Sequence, residues 1–122
     1  MHSVAIVGLG RVGSRFLQAL QGRASSGVQI VAVSELQATP GREAAQAAGI
    51  PVLSLPELLA RASEIDIVFD LSGQPSVRHS LRQGLARSGN SRTVIAPESV
   101  ARLVWSMVAT DELPQVHADV GY

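Results

Sequence analysis

Three glycines, one acid and one short loop are the residues of this 122-residue chain whose types and spacing could do chemistry. The apolar run Val4–Val7 leads straight into Gly8-Leu9-Gly10-Arg11-Val12-Gly13, a G-x-G-x-x-G turn. Each glycine answers a different physical demand in such a turn. Gly8 allows a tight bend out of the strand. Gly10 has no Cβ, so a pyrophosphate can approach the backbone, and Gly13 lets the next helix pack close to the sheet. That helix aims free N–H groups and the positive end of its dipole at the phosphates. The chemistry implied is the holding of a dinucleotide, with Gly8, Leu9, Gly10, Arg11, Val12 and Gly13 on the phosphate side.

Glu35 ends a second apolar run, Val28–Val33, and lies 22 residues after Gly13. An acid there accepts hydrogen bonds from ribose hydroxyls and repels the extra phosphate of NADP. No Arg follows within six residues, and Arg42 is seven away, so NAD is expected over NADP. Ser72, Gly73 and Pro75 belong to a small-residue loop after a further strand, where the backbone could lie along the cofactor across the crevice. Asp70 either meets a ligand or caps that loop, and Asp66 reads as structural. Ser14 could reach a phosphate or serve as a local cap. Trp105 reads as a core or interface anchor. His2, His79 and His117 have no metal-ligand spacing, so no metal is expected, and no catalytic triad can be assembled from spacing.

The elements that would position these residues alternate strand and helix. Strands are expected at 4–7, 28–33, 51–54, 65–71 and 93–96. Helices are expected from Arg11 to about Leu20, over Arg42–Ala48 and Pro56–Ala60, from Pro75 to about Arg87, and from Pro97 onward. The last helix carries Val100, Leu103, Val104 and Met107 on its apolar face. This pattern predicts an α/β fold: a doubly wound (Rossmann) parallel sheet of about five strands in the order 3-2-1-4-5, with helices on both faces and a ligand crevice at the switch point. Residues 1–109 are read as one dinucleotide-binding domain, and residues 110–122 as a tail that could add a strand or meet a partner.

Composition removes several classes of function. Hydrophobic residues make up 46% and aromatics only 3%, so the core must be aliphatic. Formal net charge is zero, which gives no reason to expect nucleic acid or an anionic membrane as partner. No run is apolar and long enough to cross a bilayer, and no signal peptide opens the chain, so a cytoplasmic protein is expected. Cysteine is absent, which excludes disulfides and thiolate chemistry. All ten basic residues are Arg, so no lysine acid, base or Schiff base is available to this chain.

VAIVGLGRVG, VQIVAVSE, AAGIPVLSLPELLA and IDIVFDLSGQPSV together resemble the N-terminal NAD(P)-binding domain of the glucose–fructose oxidoreductase and inositol dehydrogenase family. The dihydrodipicolinate reductase and aspartate or homoserine dehydrogenase groups are similar over the same span, about residues 3–109. The resemblance implies a Rossmann domain, an NAD(P) cofactor and oxidoreductase chemistry. Two departures bear on catalysis. The family's strand ending in Glu-Lys-Pro is matched here by Ile95-Ala96-Pro97, without the lysine, and no counterpart of the family's C-terminal substrate domain is expected. The stretch Val94–Trp105 is also similar to Rossmann modules of bacterial sensor kinases, and GLGRVG to the nucleotide-binding regulatory domains of potassium channels. The expected function is therefore a stand-alone NAD(H)-binding module, noncatalytic, regulatory or completed by a partner. A minimal NAD-dependent dehydrogenase and an assembly-only domain are the alternatives. A homodimer, or a partner protein supplying a second domain, is expected.

Overall fold

The computed structural model describes residues 2–23 and 27–108; the tail read over 110–122 and His117 lie outside the described residues. In chain order the elements are β1 (His2–Val7), α1 (Arg11–Gln21), β2 (Val28–Ser34), α2 (Pro40–Ala47), α3 (Leu55–Ala60), a single 3₁₀ turn at Ala62–Glu64, β3 (Ile67–Asp70), α4 (Pro75–Arg87), β4 (Val94–Ala96) and α5 (Glu98–Val108). The four strands form one parallel sheet in the order β2-β1-β3-β4.

Five strands were expected, and the missing one is Pro51–Ser54. It contributes a single parallel bridge, Val33 to Val52, on the outer side of β2. Pro51 has no N–H to give a ladder. Three residues later, Ser54 is committed to capping α3: its N–H donates to Glu57 Oε1 at 2.9 Å and its Oγ accepts from the Glu57 N–H at 3.3 Å. The segment therefore touches the sheet once and turns away. The relative placement of the remaining strands matches the expected doubly wound order.

Strand alternation builds two cores. Val4 and Ile6 face one side with Phe16, Leu17, Val33, Phe69, Ala101 and Trp105, beneath α1, α2 and α5. Ala5 and Val7 face the other with Leu58, Val68 and Leu81, beneath α3 and α4. Phe16 and Phe69 meet edge to face, centroids 4.8 Å apart, a geometry that aromatic quadrupoles favour. The orientation of α5 differs from expectation. It buries Ala101 and Trp105, and leaves Val100, Leu103 and Met107 exposed. The small Ala101 side chain lets α5 approach the sheet, while Trp105 reaches into the core and carries the Arg15 guanidinium 5.7 Å above its ring.

Below the sheet, at the N-terminal ends of the strands, polar groups close the fold. Asp66 Oδ2 accepts from the Ser3 N–H at 3.0 Å, and its Oδ1 accepts from Arg92 at 2.8 Å. The Ser3 N–H holds the Asp66 carboxyl below its ordinary range, with the Ser3 hydroxyl and Arg92 adding to the effect. The structural reading of Asp66 agrees with this placement.

Candidate functional site

The turn after β1 is built by contacts that only glycine permits. Gly8 has φ +94°, and a Cβ on it would lie 2.6 Å from the Ser72 backbone. A Cβ on Gly13 would lie 1.8 Å from the Gly8 carbonyl oxygen, so α1 rests directly on the turn. Gly10 is different. It is exposed, and a Cβ there would meet nothing within 4 Å. Two of the glycines thus serve packing, and Gly10 alone faces open space.

Gly10 is also the N-cap of α1, and no side chain caps that helix. Its first N–H groups have no intrahelical acceptors. By contrast, Thr39 caps α2 through its Oγ1, which accepts from the Arg42 N–H at 3.1 Å, and Ser54 caps α3. The glycine turn therefore presents donors that neighbouring helices spend internally. The N-terminus of α4, with Gln74 as N-cap, likewise has no side-chain cap.

Glu35 lies at the end of β2, beside this turn. Its Oε1 accepts from the Leu9 N–H at 2.7 Å, and its Oε2 accepts from the Gln37 N–H at 3.1 Å. An anionic oxygen already rests on one backbone donor of the turn. The carboxylate ties the β1–α1 turn to the β2–α2 loop and keeps lone pairs for further donors.

On the other flank, Asp70 is buried, and its Oδ1 accepts from both the Ser72 N–H at 3.1 Å and the Ser72 hydroxyl at 2.7 Å; Ser72 Oγ in turn accepts from the Gln74 N–H at 3.2 Å. Of the two readings of Asp70, loop capping describes these contacts. Ser14 Oγ donates to the Leu9 carbonyl at 2.9 Å, which makes it a local brace. The brace fits against Gly41 of α2, where a Cβ would lie 2.0 Å from that same Oγ.

A cavity of about 460 Å³ opens over the turn, within the range of about 300–1,000 Å³ typical of small-molecule sites. Gly8, Gly10, Glu35 and Ser72 line it together. Leu9, Arg11, Val12, Gly13, Gly73 and Pro75 are not among its lining residues. Leu9 acts through its N–H, Val12 is in the core, Gly13 is in the helix contact, and Arg11 and Pro75 are exposed at the starts of α1 and α4. Sequence reasoning missed the apolar wall: Leu36, Leu55, Pro56 and Val77, brought from three separate segments. One local signal was available, the S-x-x-E capping box at Ser54–Glu57, which starts α3 at the cavity rim. The Ser54 backbone N–H holds the Glu57 carboxyl below its ordinary range. Arg42, six residues after Leu36, folds back so that its Nη1 donates to the Leu36 carbonyl at 3.1 Å. Among the described residues, no three His, Cys, Asp or Glu side chains gather as metal ligands, and no helix is long and apolar enough to cross a membrane.

The residues present fit a dinucleotide: an uncapped helix N-terminus, open space at Gly10, and a carboxylate at the end of β2. A family model described as an oxidoreductase family with an NAD-binding Rossmann fold matches residues 2–87. No curated protein matches the sequence. Among solved structures, the chain is similar to a putative myo-inositol dehydrogenase from Sinorhizobium meliloti (22% identity, TM-score 0.61, 88% of this chain and 34% of that one). It is similar to homoserine dehydrogenase from S. aureus (20% identity, TM-score 0.57, 88% and 29%). It is also similar to RSP, a Rex-family repressor solved with β-NAD⁺ and operator DNA (13% identity, TM-score 0.55, 88% and 57%). These likenesses show the fold, and the chain spans about a third of the length of the two dehydrogenases.

Proposed function

This chain belongs to the oxidoreductase family with an NAD-binding Rossmann fold, and from that premise we propose that it holds NAD(H) in the cavity over its glycine turn and performs no hydride transfer with its own residues. The observation that carries the reading is the Glu35 carboxylate on the Leu9 N–H, which joins the turn and the ribose-side acid into one site. Gly10 and the first N–H groups of α1, at Arg11, Val12 and Gly13, would serve the pyrophosphate with the α1 dipole, while Gly8 and Leu9, whose N–H groups are spent on the Ser34 carbonyl and on Glu35, would shape the turn. Glu35 would accept from the ribose hydroxyls. Ser72, Gly73 and Pro75 would bound the far side.

NAD is favoured over NADP because Glu35 places a negative charge where a ribose phosphate would lie. Arg42, the cation folded toward the same loop, is engaged on the Leu36 carbonyl. A bound nicotinamide supplies hydride donation or acceptance. The noncatalytic reading rests on Ala96, which stands where the resembling family carries a lysine. Family membership favours a second reading, a dehydrogenase domain completed by further protein. Substrate-dependent NADH turnover by the 122-residue chain would overturn the noncatalytic reading.

Calorimetry with NADH and NADPH tests the cofactor. Binding of neither at submillimolar concentration removes the reading, and Glu35→Ser should weaken NADH more than NADPH. Self-association completes the proposal. Val94, Val100, Leu103 and Met107 are exposed along β4 and α5, and exposed apolar patches mark interaction faces. A second copy packing there makes a dimer, and a single monomeric species in light scattering at high concentration excludes it.

A further inference from the structure

Most polar side chains around the cavity are committed to the protein itself. Thr39 and Ser54 cap α2 and α3. The Ser72 hydroxyl donates to Asp70 Oδ1 and accepts from the Gln74 N–H. Glu35 is held by the Leu9 and Gln37 N–H groups. Two carboxamides also line the cavity, those of Gln37 and Gln74, and neither side chain makes a hydrogen bond among the described residues.

Gln74 occupies a position whose usual task it does not perform. It is the N-cap of α4, where Ser, Thr, Asp and Asn are preferred because their short side chains reach the first N–H groups of the helix. Gln is one methylene longer than Asn, and the Gln74 side chain caps nothing. Pro75 presets the backbone at the start of α4, so the helix begins without such a cap. The carboxamide is exposed instead, at the cavity wall. Val77, three residues on, lines the same wall, and with Leu36, Leu55 and Pro56 it makes an apolar slot that a flat ring would cover. Gln37 differs, because it stands beside Glu35, whose carboxylate already supplies acceptors on that side.

We propose that Gln74 is a specificity-determining residue of this site, pairing both ends of its carboxamide with a ring-borne N–H and the acceptor beside it. This rests on the reading of the cavity as a dinucleotide site. A carboxamide offers two donors and an acceptor in one plane, and in base recognition its match is an amino group next to a ring nitrogen. NAD carries such an edge twice, as the adenine amino group beside a ring nitrogen and as the nicotinamide carboxamide. The chemistry is shared, and the slot is apolar enough for either ring. A ring that lacks the N–H leaves the Gln74 oxygen without its donor, which weakens binding.

The test is calorimetry of the full chain with NAD⁺ and two analogues. Acetylpyridine adenine dinucleotide has a methyl ketone in place of the carboxamide; the other analogue has purine in place of adenine, without the amino group. One of them should bind about tenfold more weakly than NAD⁺, and which one it is identifies the ring that Gln74 meets. In Gln74→Leu that analogue and NAD⁺ should bind within about threefold of each other, while Gln37→Leu keeps the tenfold preference. Equal binding of NAD⁺ and both analogues by the unsubstituted chain, or a preference that survives Gln74→Leu, would overturn the proposal and leave the dinucleotide site standing. Failure of NAD⁺ itself to bind would overturn both. Gln74→Asn separates ligand recognition from helix capping. Asn is the better N-cap, so this variant should melt no earlier than the unsubstituted chain while losing the preference. Early melting with the preference intact would assign Gln74 to the helix and refute the proposal.

Discussion

Replacing Gly13 and Gly10 separately by Ala should split the glycine turn into its structural and ligand-facing parts. At Gly13 the new Cβ would lie 1.8 Å from the Gly8 carbonyl oxygen and 2.9 Å from its carbon. Both are backbone atoms, so no side chain can rotate away. Relief requires α1 to lift by about 1.2 Å, which carries the first contact out to the 3.0 Å that real side chains tolerate. Lifting the helix unseats Phe16 and Leu17 from the core beneath it. Overpacking of this sort costs about 1–3 kcal/mol, and a clash with backbone belongs at the upper end. Alanine's better helix propensity returns about 1 kcal/mol. The net loss is about 2 kcal/mol, or a fall in Tm of about 8 °C for a domain of this size.

At Gly10 the arithmetic reverses. Its φ is −78°, open to any residue, and a Cβ meets nothing within 4 Å. Alanine is a poorer N-cap but restricts the unfolded chain, and the two effects roughly cancel within about 1 kcal/mol. The methyl group instead stands where the pyrophosphate of the proposed site would approach, so NADH affinity should fall by about tenfold. Thermal melting with and without NADH reads both effects, because a ligand that binds only the folded state raises Tm. Gly13→Ala should melt early in either condition; Gly10→Ala should melt normally alone and lose the NADH-dependent rise. Normal melting of Gly13→Ala, or an undiminished NADH rise in Gly10→Ala, would refute the assignment of roles.

Other substitutions probe the surroundings of the turn. Gly41→Ala forces a Cβ to 2.0 Å from Ser14 Oγ and should lower stability by about 1–2 kcal/mol, with part of the loss recovered in the double variant with Ser14→Ala when both are measured by urea unfolding. Phe16→Ala empties a fully buried position beside Phe69; it should cost about 3–5 kcal/mol, visible as loss of a cooperative transition at elevated temperature. Asp66 has its carboxyl held below the ordinary 3.8 by the Ser3 N–H. Its contribution is therefore complete above that value and disappears as pH falls through the lowered one. Asp66→Asn should be less stable at neutral pH and show a shallower fall in Tm on acidification, and parallel curves for the two proteins would contradict the linkage.

The parts of this molecule that could be read from sequence are those whose physics is local. The turn at Gly8–Gly13 is legible because its spacing is fixed locally: Gly13 rests on Gly8 five residues back, Gly8 bends against the loop after the neighbouring strand, and Gly10 between them stays open. Ser54 and Glu57 form a capping box that four consecutive residues specify. Pro51–Ser54 misled because Val52 and Leu53 look like strand while Pro51 can accept but not donate and the Ser54 N–H is spent on Glu57. The face of α5 misled for another reason: hydropathy ranks Leu103 and Met107 above Ala101, whereas close packing against a sheet favours the small side chain. The apolar slot was invisible because Leu36, Leu55 and Val77 converge only after the chain has wound around the sheet.

A site lined by one carboxylate and by no Arg, Lys or His side chain would be a poor anion receptor if side-chain charge were the deciding quantity. Backbone dipoles decide instead. The uncapped α1 terminus offers the equivalent of about half a positive charge, delivered through N–H groups that need no side chain to be positioned. Glu35 does not cancel that field, because its own charge is held by two amides, at Leu9 and Gln37. In the proposed site, Glu35 would make binding selective by position. Unit charges about 4 Å apart repel by about 4 kcal/mol at an effective dielectric of 20. A phosphate brought to the ribose side would feel that repulsion, and the carboxylate could swing away only by giving up both N–H bonds. An unanchored surface glutamate would rotate out at little cost. The hydrogen bonds that tie Glu35 to the glycine turn thus make an ordinary acid at a strand end a fixed charge, and in the proposed site that fixity is what would let it discriminate.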